Sequence, residues 1–505
     1  MVNKNKAIIR GVLMLTYVFI ISIILFLVSS LLNYLNTGAD RSKMLHTEIK
    51  KEAQYVPKVT WKKDGNKGRF IDEQTLNEIE NDYVDAWYVK YVAYKTNLND
   101  GIKDYYTDNA RKNLYNTIAF NKKEHISLEG TTLNHNPDIL FFSEDGQLIV
   151  LEDKNVIEYK KVFKDDKIVL ETTEKSSYKV VLLLEDGFWR IRHIVKESAI
   201  DFDNNLANIK VDASNIKGIN YYPQKTPWNM FGDNFDEKII KKDFEIIKNA
   251  NLNTIRIFIQ YEDFGKANVK EEKLQKVQQV LDIAEKSNLK VIVTLFDFYG
   301  NYDVLDWTLN DRHVEKIVSK FKNHQAILAW DLKNEPNLDF DSRGKETVIA
   351  WLKHLIGFIK TIDTNNAITI GWSNVESAEI LNDKLDFVSF HYYEDITKLQ
   401  TTYLSLKEKI NNKPIFLGEF GVTSYDGFWK PFGSSEKKQA SYYKEIQEIL
   451  TKNKVPFLSW TLYDFDEVPN SVVGKLPWRV NPQKEFGFIN TKGKKKPSFE
   501  FISTK

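Results

Sequence analysis

From Ile216 to the C-terminus, short apolar runs alternate with amphipathic stretches, and no other feature of the chain restricts its fold so strongly. The runs are Ile216–Tyr221, Thr254–Ile259, Lys290–Phe296, Ala326–Leu332, Ala367–Gly371, Phe387–Phe390, Pro414–Gly418 and Pro456–Thr461. Each has the length and the apolar content of a buried strand. Between them the apolar spacing becomes helical, as in Asp236–Asn249, Leu274–Ser287, Thr347–Ile362 and Ser435–Lys452. Strands that alternate with helices build a parallel sheet, because a parallel neighbour needs a crossover. Eight such units are the count that closes a (β/α)8 barrel of about 250 residues. Residues 205–505 are therefore expected to form an α/β TIM barrel.

Barrels of this kind carry their chemistry at the C-terminal strand ends. The fourth strand ends in Trp330-Asp331-Leu332-Lys333-Asn334-Glu335-Pro336 and the seventh in Phe416-Leu417-Gly418-Glu419-Phe420, so each sets a carboxylate at the mouth. Cleavage of a glycosidic bond needs one carboxylic acid to protonate the leaving oxygen and a second carboxylate to attack or to support water. Like charges in a partly dry cleft raise one of the two pKa values, so that one glutamate is protonated while the other stays ionised. Asn-Glu-Pro alone is explained as well by the preferences of a helix start. The second carboxylate and the residues around it reduce the weight of that explanation.

On these motifs the chain from Ile216 to Ser503 resembles the clan A glycoside hydrolases and, within them, family 5, the cellulase and mannanase family. The resemblance implies that Glu335 is the general acid/base, that Glu419 is the nucleophile and that configuration is retained. It matches Arg256 to an arginine beneath the nucleophile, where a fixed cation would hold the carboxylate ionised. Asn334 matches the asparagine that meets the sugar 2-hydroxyl. His391 and Tyr393, in Ser389-Phe390-His391-Tyr392-Tyr393, match a His-x-Tyr of the sixth strand whose tyrosine hydrogen-bonds the nucleophile. Trp460 matches the floor of the reacting sugar's subsite. The third strand departs from the pattern: Asp297 stands where many members carry histidine, is expected to take over its sugar contact, and leaves the sugar's identity open. Trp307, Trp372, Trp429 and Trp478 read equally as cleft lining or as core.

Upstream, the stretch from Gly11 to Asn33 contains no charge, which is the length of a membrane-spanning helix and exceeds the apolar region of a signal peptide. Lys4, Lys6 and Arg10 precede it, so the first ten residues are expected in the cytoplasm and the rest of a single-pass protein outside. Residues 34–69 read as a linker. Residues 70–200 read as an α+β domain: Leu76, Ile79, Tyr83, Trp87 and Tyr91 form a helical stripe, and strands punctuated by turns such as Glu185-Asp186-Gly187 follow it from Ile126 to Glu197. The last hairpin resembles that of the nuclear-transport-factor-2-like cone fold. No convergent acid/base set stands out in this domain, so it reads as a spacer or as a docking module for a protein partner.

The chain balances 71 Lys+Arg against 70 Asp+Glu, which gives no basic face for nucleic acid. It has no cysteine, hence no thiol nucleophile, and its eight histidines form no ligand motif, so neither metal nor cofactor is expected. The expected function is a membrane-anchored retaining β-glycosidase acting on a polysaccharide or oligosaccharide. The alternatives are a transglycosylase, or a non-catalytic carbohydrate-binding or assembly protein of an exopolysaccharide system.

Overall fold

This computed structural model describes residues 14–29, 54–202, 208–210, 215–411, 413–427 and 434–503. By its internal contacts the chain divides into Met1–Ala53 and Gln54–Lys505. Of the span expected over residues 11–33, residues 14–29 are helical with exposed side chains, and residues 11–13 and 30–33 lie outside the described residues. No helix among the described residues is long and apolar enough to cross a membrane.

The helical stripe expected around Trp87 is the helix Glu73–Thr96. Its start is set by Asp72, whose carboxylate accepts the Thr75 N–H at 2.8 Å, and its end by Asn97 in the left-handed conformation. Its buried face, Leu76, Ile79, Tyr83, Trp87 and Tyr91, packs with Ile139, Leu151, Val180 and Trp189 of a six-stranded sheet. Lys58–Val59, Ile126–His135, Leu148–Lys164, Lys167–Glu185 and Phe188–Asp201 lie side by side in that order, and Pro137–Phe142 pairs with Leu148–Lys164. Residues 54–69, expected as linker, begin this sheet: Lys58 and Val59 pair in parallel with Asn134 and His135. A two-residue edge strand leaves no periodicity for a sequence reading to detect.

The expectation that this domain lacks a convergent acid/base set is corrected. His135 Nδ1 lies 2.6 Å from Asp153 Oδ2, Tyr83 donates to the same oxygen at 2.8 Å, and Thr132 Oγ1 meets His135 Nε2 at 2.8 Å. These groups sit on three elements far apart in sequence. His135 and Asp153 are wholly enclosed, with no edge open to a ligand, so the network ties the helix to the sheet.

The eight expected barrel strands are all present: Lys217–Asn220, Thr254–Gln260, Lys290–Asp297, Ile327–Asn334, Ala367–Trp372, Val388–Tyr392, Ile415–Phe420 and Phe457–Ser459. They close into a parallel barrel in sequence order. The helices around it are amphipathic; Glu237–Asn249 buries Ile240, Phe244 and Ile247 and is capped by the Asp236 carboxylate on Lys238 N–H at 2.8 Å. The barrel interior is layered. Ile216, Ile292, Ala329, Ala367, Phe387, Phe416 and Leu458 form an apolar cluster of their own. Two residues farther along four of these strands, and so on the same face, stand Thr294, Asp331, Thr369 and Ser389. Polarity thus rises toward the C-terminal mouth, where it can be useful only if every group is paired.

The smaller domain rests on the barrel's flank. Tyr159 and Trp307 have ring centroids 4.5 Å apart, Trp307 stacks on His354 at 4.5 Å, and Val56 N–H donates to Thr308 Oγ1 at 3.0 Å. Trp307 is therefore packing at the domain junction, not cleft lining. Trp372 is fully buried, Trp478 is exposed, and Trp429 lies outside the described residues.

Candidate active site

The site is built on a buried charge pair. Arg256, from the second strand, gives Nε and Nη2 to Asp331 Oδ2 at 3.0 and 2.6 Å. Asp331 also accepts the Thr294 hydroxyl at 2.7 Å, and its other oxygen takes the Gly371 N–H at 2.9 Å. A guanidinium and a carboxylate this deep are tolerable only with such complete pairing. Arg256 then reaches up with what remains: Nη1 to Asn220 Oδ1 at 3.1 Å and to Glu419 Oε2 at 3.4 Å, and Nη2 to Asn334 Oδ1 at 2.9 Å. Asn220 is itself fixed by its NH2 on the carbonyls of Gly418 and Ser459 at 3.0 and 3.2 Å.

Three local irregularities aim the upper layer. Pairing between the fourth and fifth strands shifts between Asp331 and Asn334, which turns Asn334 toward Arg256. Pairing between the sixth and seventh shifts at His391 and Glu419, which brings both side chains to the mouth. Glu335 has left-handed backbone, φ 51 and ψ 50, just before Pro336 starts a short 3₁₀ turn. Glycine is required at 371: a Cβ there would lie 2.7 Å from Arg256 Nη2 and 3.0 Å from His391 Nε2.

His391 stands between the glutamates. Its Nδ1 is 2.8 Å from Glu335 Oε1 and 3.8 Å from Glu419 Oε2, so both carboxyls lie within 4 Å of one imidazole nitrogen. Tyr393 donates its hydroxyl to Glu419 Oε1 at 2.6 Å, while its ring is 45% exposed at the mouth. Trp460 lies just past the eighth strand with only 5% exposure, its ring against Trp228 and Tyr222 at 5.9 and 6.3 Å. Asp297 ends the third strand, where Tyr222 donates to its Oδ2 at 3.2 Å. All the site residues expected from sequence therefore gather at one mouth.

The electrostatics differ from the expectation in two respects. Arg256 was expected to hold Glu419 ionised, but its shortest contacts go to Asp331, so much of its charge is already balanced. Burial raises the Glu419 carboxyl; His391, Arg256 and the Tyr393 hydroxyl pull it down, and the Glu335 charge pushes it up, with a net rise. Burial also opposes ionisation of Glu335, yet the His391 contact, Arg256 and Lys333 outweigh it and hold Glu335 below the ordinary glutamate range. The two directions are the reverse of those the implied roles need, an ionised Glu419 and a protonated Glu335. Burial pushes Asp297 up to about 7, against Arg256, Lys333 and the Tyr222 hydroxyl.

The sequence reading assigned no role to Asp331, Asn220, Tyr222 or Gly371. Asp331 had a signal, a charged residue at an inward position two before a lysine in a buried strand. The others had none.

The family model for cellulase (glycosyl hydrolase family 5) matches residues 211–466, half of the chain. The chain is 26% identical over 238 residues to mannan endo-1,4-beta-mannosidase 5 of Solanum lycopersicum, covering 38% of this chain and 54% of that protein. It is 27% identical over 211 residues to mannan endo-1,4-beta-mannosidase A of Emericella nidulans, covering 33% and 54%. With the beta-glucuronidase of Homo sapiens it shares 23% identity over 268 residues, covering 48% and 38%. The chain thus spans about half the length of the mannosidases it matches. Among solved structures, an exo-beta-1,4-mannosidase from Opitutaceae bacterium strain TAV5 superposes with a TM-score of 0.47 at 16% identity, over 58% of this chain and 61% of that one. Through its C-terminal barrel, this chain belongs to glycosyl hydrolase family 5.

Proposed function

We propose that the protein is a retaining β-glycosidase that cleaves a polysaccharide or oligosaccharide by double displacement, with Glu419 as nucleophile and Glu335 as general acid/base. The observation that carries this is the placement of both carboxyls within 4 Å of His391 Nδ1. Such closeness suits a pair that forms a covalent glycosyl-enzyme, in which the carboxyls stand about 5 to 5.5 Å apart. Attack by Glu419 on the anomeric carbon breaks the glycosidic bond as Glu335 gives its proton to the leaving oxygen; Glu335 then takes a proton from a water whose oxygen bonds to the anomeric carbon, and the ester bond to Glu419 breaks to release the sugar. Asn334, its Oδ1 held by Arg256, turns its NH2 edge to the sugar, and Trp460 lies beneath the ring.

Of the substrates that the relatives' names offer, a neutral β-mannan suits this cleft better than a glucuronide. Asp297, Glu335 and Glu419 face the mouth, while Arg256 is balanced by Asp331 and Lys333 lies 3.3 Å from Asp339. A uronate would meet carboxyl groups, while these two cations are already paired. A sugar acceptor in place of water would make the same intermediate a transglycosylase. We read the middle domain as an NTF2-like spacer and residues 11–33 as an anchor that leaves the barrel outside the membrane.

Glu419→Ala is expected to lower turnover of β-linked mannan, glucan or xylan oligosaccharides by on the order of 10⁴-fold. Undiminished product formation would sink the nucleophile assignment. For the anchor, full-length protein should stay with membranes washed in alkaline carbonate, and complete release would refute it.

A further inference from the structure

Phe298 lies between two buried residues, Asp297 and Tyr299, yet is itself 47% exposed. Its backbone is left-handed, with φ 58. That region is unfavourable for a bulky residue, and such outliers gather at ligand sites. Glycine would hold the same backbone without strain, so what phenylalanine adds here is a ring turned out of the barrel.

The register shows where that ring stands. The third and fourth strands pair Thr294 with Asp331. Phe298 and Glu335 are each the first residue past the end of these neighbouring strands, so both stand at the same mouth. Both have left-handed backbone. Leu338, three residues past Glu335, is 65% exposed. The third strand lies directly across the eight-stranded ring from the seventh, which carries Glu419. The exposed Phe298 ring therefore comes from the strand beside the proton donor on the side away from the nucleophile. A general acid stands beside the leaving oxygen, so that is the leaving group's side.

We propose that Phe298 is the platform for the sugar unit on the leaving-group side of the scissile bond. This rests on the hydrolase reading above. A β-linked pyranose has an apolar face of C–H groups that an aromatic ring can cover, and a neutral platform does not select by charge. The strained loop holds the ring in position before the sugar arrives, which lowers the ordering cost of binding.

The test compares Phe298→Ala, Phe298→Gly and Phe298→Trp on β-1,4-linked mannotetraose, cellotetraose and xylotetraose and on the matching glycosyl fluorides, whose leaving group is too small to reach the ring. Alanine and glycine should raise KM for the tetraoses about tenfold with kcat within about twofold, and tryptophan should restore it. The ratio of kcat/KM on tetraose to that on fluoride should fall about tenfold for alanine and glycine. Equal losses on both substrate types, or no change in KM, would overturn the platform. Calorimetric binding of the tetraoses to Glu335→Gln protein, with and without Phe298→Ala, needs no turnover. If wild type proves inactive but binding still weakens about tenfold, the platform stands and the hydrolase reading falls. Binding unaltered by Phe298→Ala overturns the platform, and no binding to any tetraose together with no turnover overturns both.

Discussion

At the scale of single residues, the chemistry turns on two glutamates that meet at one imidazole nitrogen. Each carboxyl is mostly enclosed, and each feels the other through His391, so they titrate as a pair. Glu335's charge is one of the causes that raise Glu419. Removing that charge should therefore let Glu419 ionise at lower pH. With an aryl glycoside, whose phenol leaves without acid help, Glu335→Gln should shift the acidic limb of kcat/KM to lower pH than in wild type. A limb that stays in place would show that the two carboxyls do not share their proton. Arg256 plays a quieter part than its position implies. Its two donors on one oxygen of Asp331 balance part of its charge, and the rest acts on Glu419 from 3.4 Å.

At the scale of elements, the strand ends decide what the sequence could show. All eight barrel strands were legible within a few residues, because buried parallel strands are continuous apolar runs and the helices between them are amphipathic. Glu335, Glu419, His391, Tyr393 and Trp460 were legible because each lies at or just past a strand end within a motif, and Arg256 because it is a charge inside an apolar strand. Asp331 and Asn220 were not assigned, since what makes them important is a hydrogen bond to Arg256 across the barrel interior. The register shifts at Asn334 and Glu419 are likewise invisible to a period-two reading, which would turn those side chains to the wrong face. In the smaller domain, Lys58–Val59 is too short to leave a pattern, and the His135–Asp153 network is assembled from remote segments. Asp297 belongs to this scale because it closes the third strand. Burial pushes its folded carboxyl up to about 7, well above the ordinary aspartate range, so the folded state keeps a proton that the unfolded chain gives up. Stability should fall as pH rises from about 4 to about 7, and Asp297→Asn should make that decline shallower, with Asp243 and Asp464 still contributing. Urea midpoints at about pH 5 and about pH 8 check this, and equal pH dependence in both proteins would refute it.

At the scale of the whole molecule, the sheet domain and the barrel are joined by packing as well as by chain. Tyr159 is 5% exposed and belongs to the barrel's hydrophobic cluster, although it comes from the smaller domain's sheet. Tyr159→Ala should cost about 3 kcal/mol, the usual range for an aromatic lost from a core. Wild type should unfold with sheet and barrel probes coincident, and two separated transitions would contradict this joint packing. The joint lies on the same βα unit that carries Asp297 and Phe298. Lys95 of the long helix pairs with Asp303, and Leu305 packs against the smaller domain's core. The loop from Phe298 to Asp306 is thus tied to the third strand at one end and to a separate domain at the other. Such a loop behaves like a splinted beam: a pull on the smaller domain would load the rim of the cleft on the third strand before reaching the strands that bear the two glutamates.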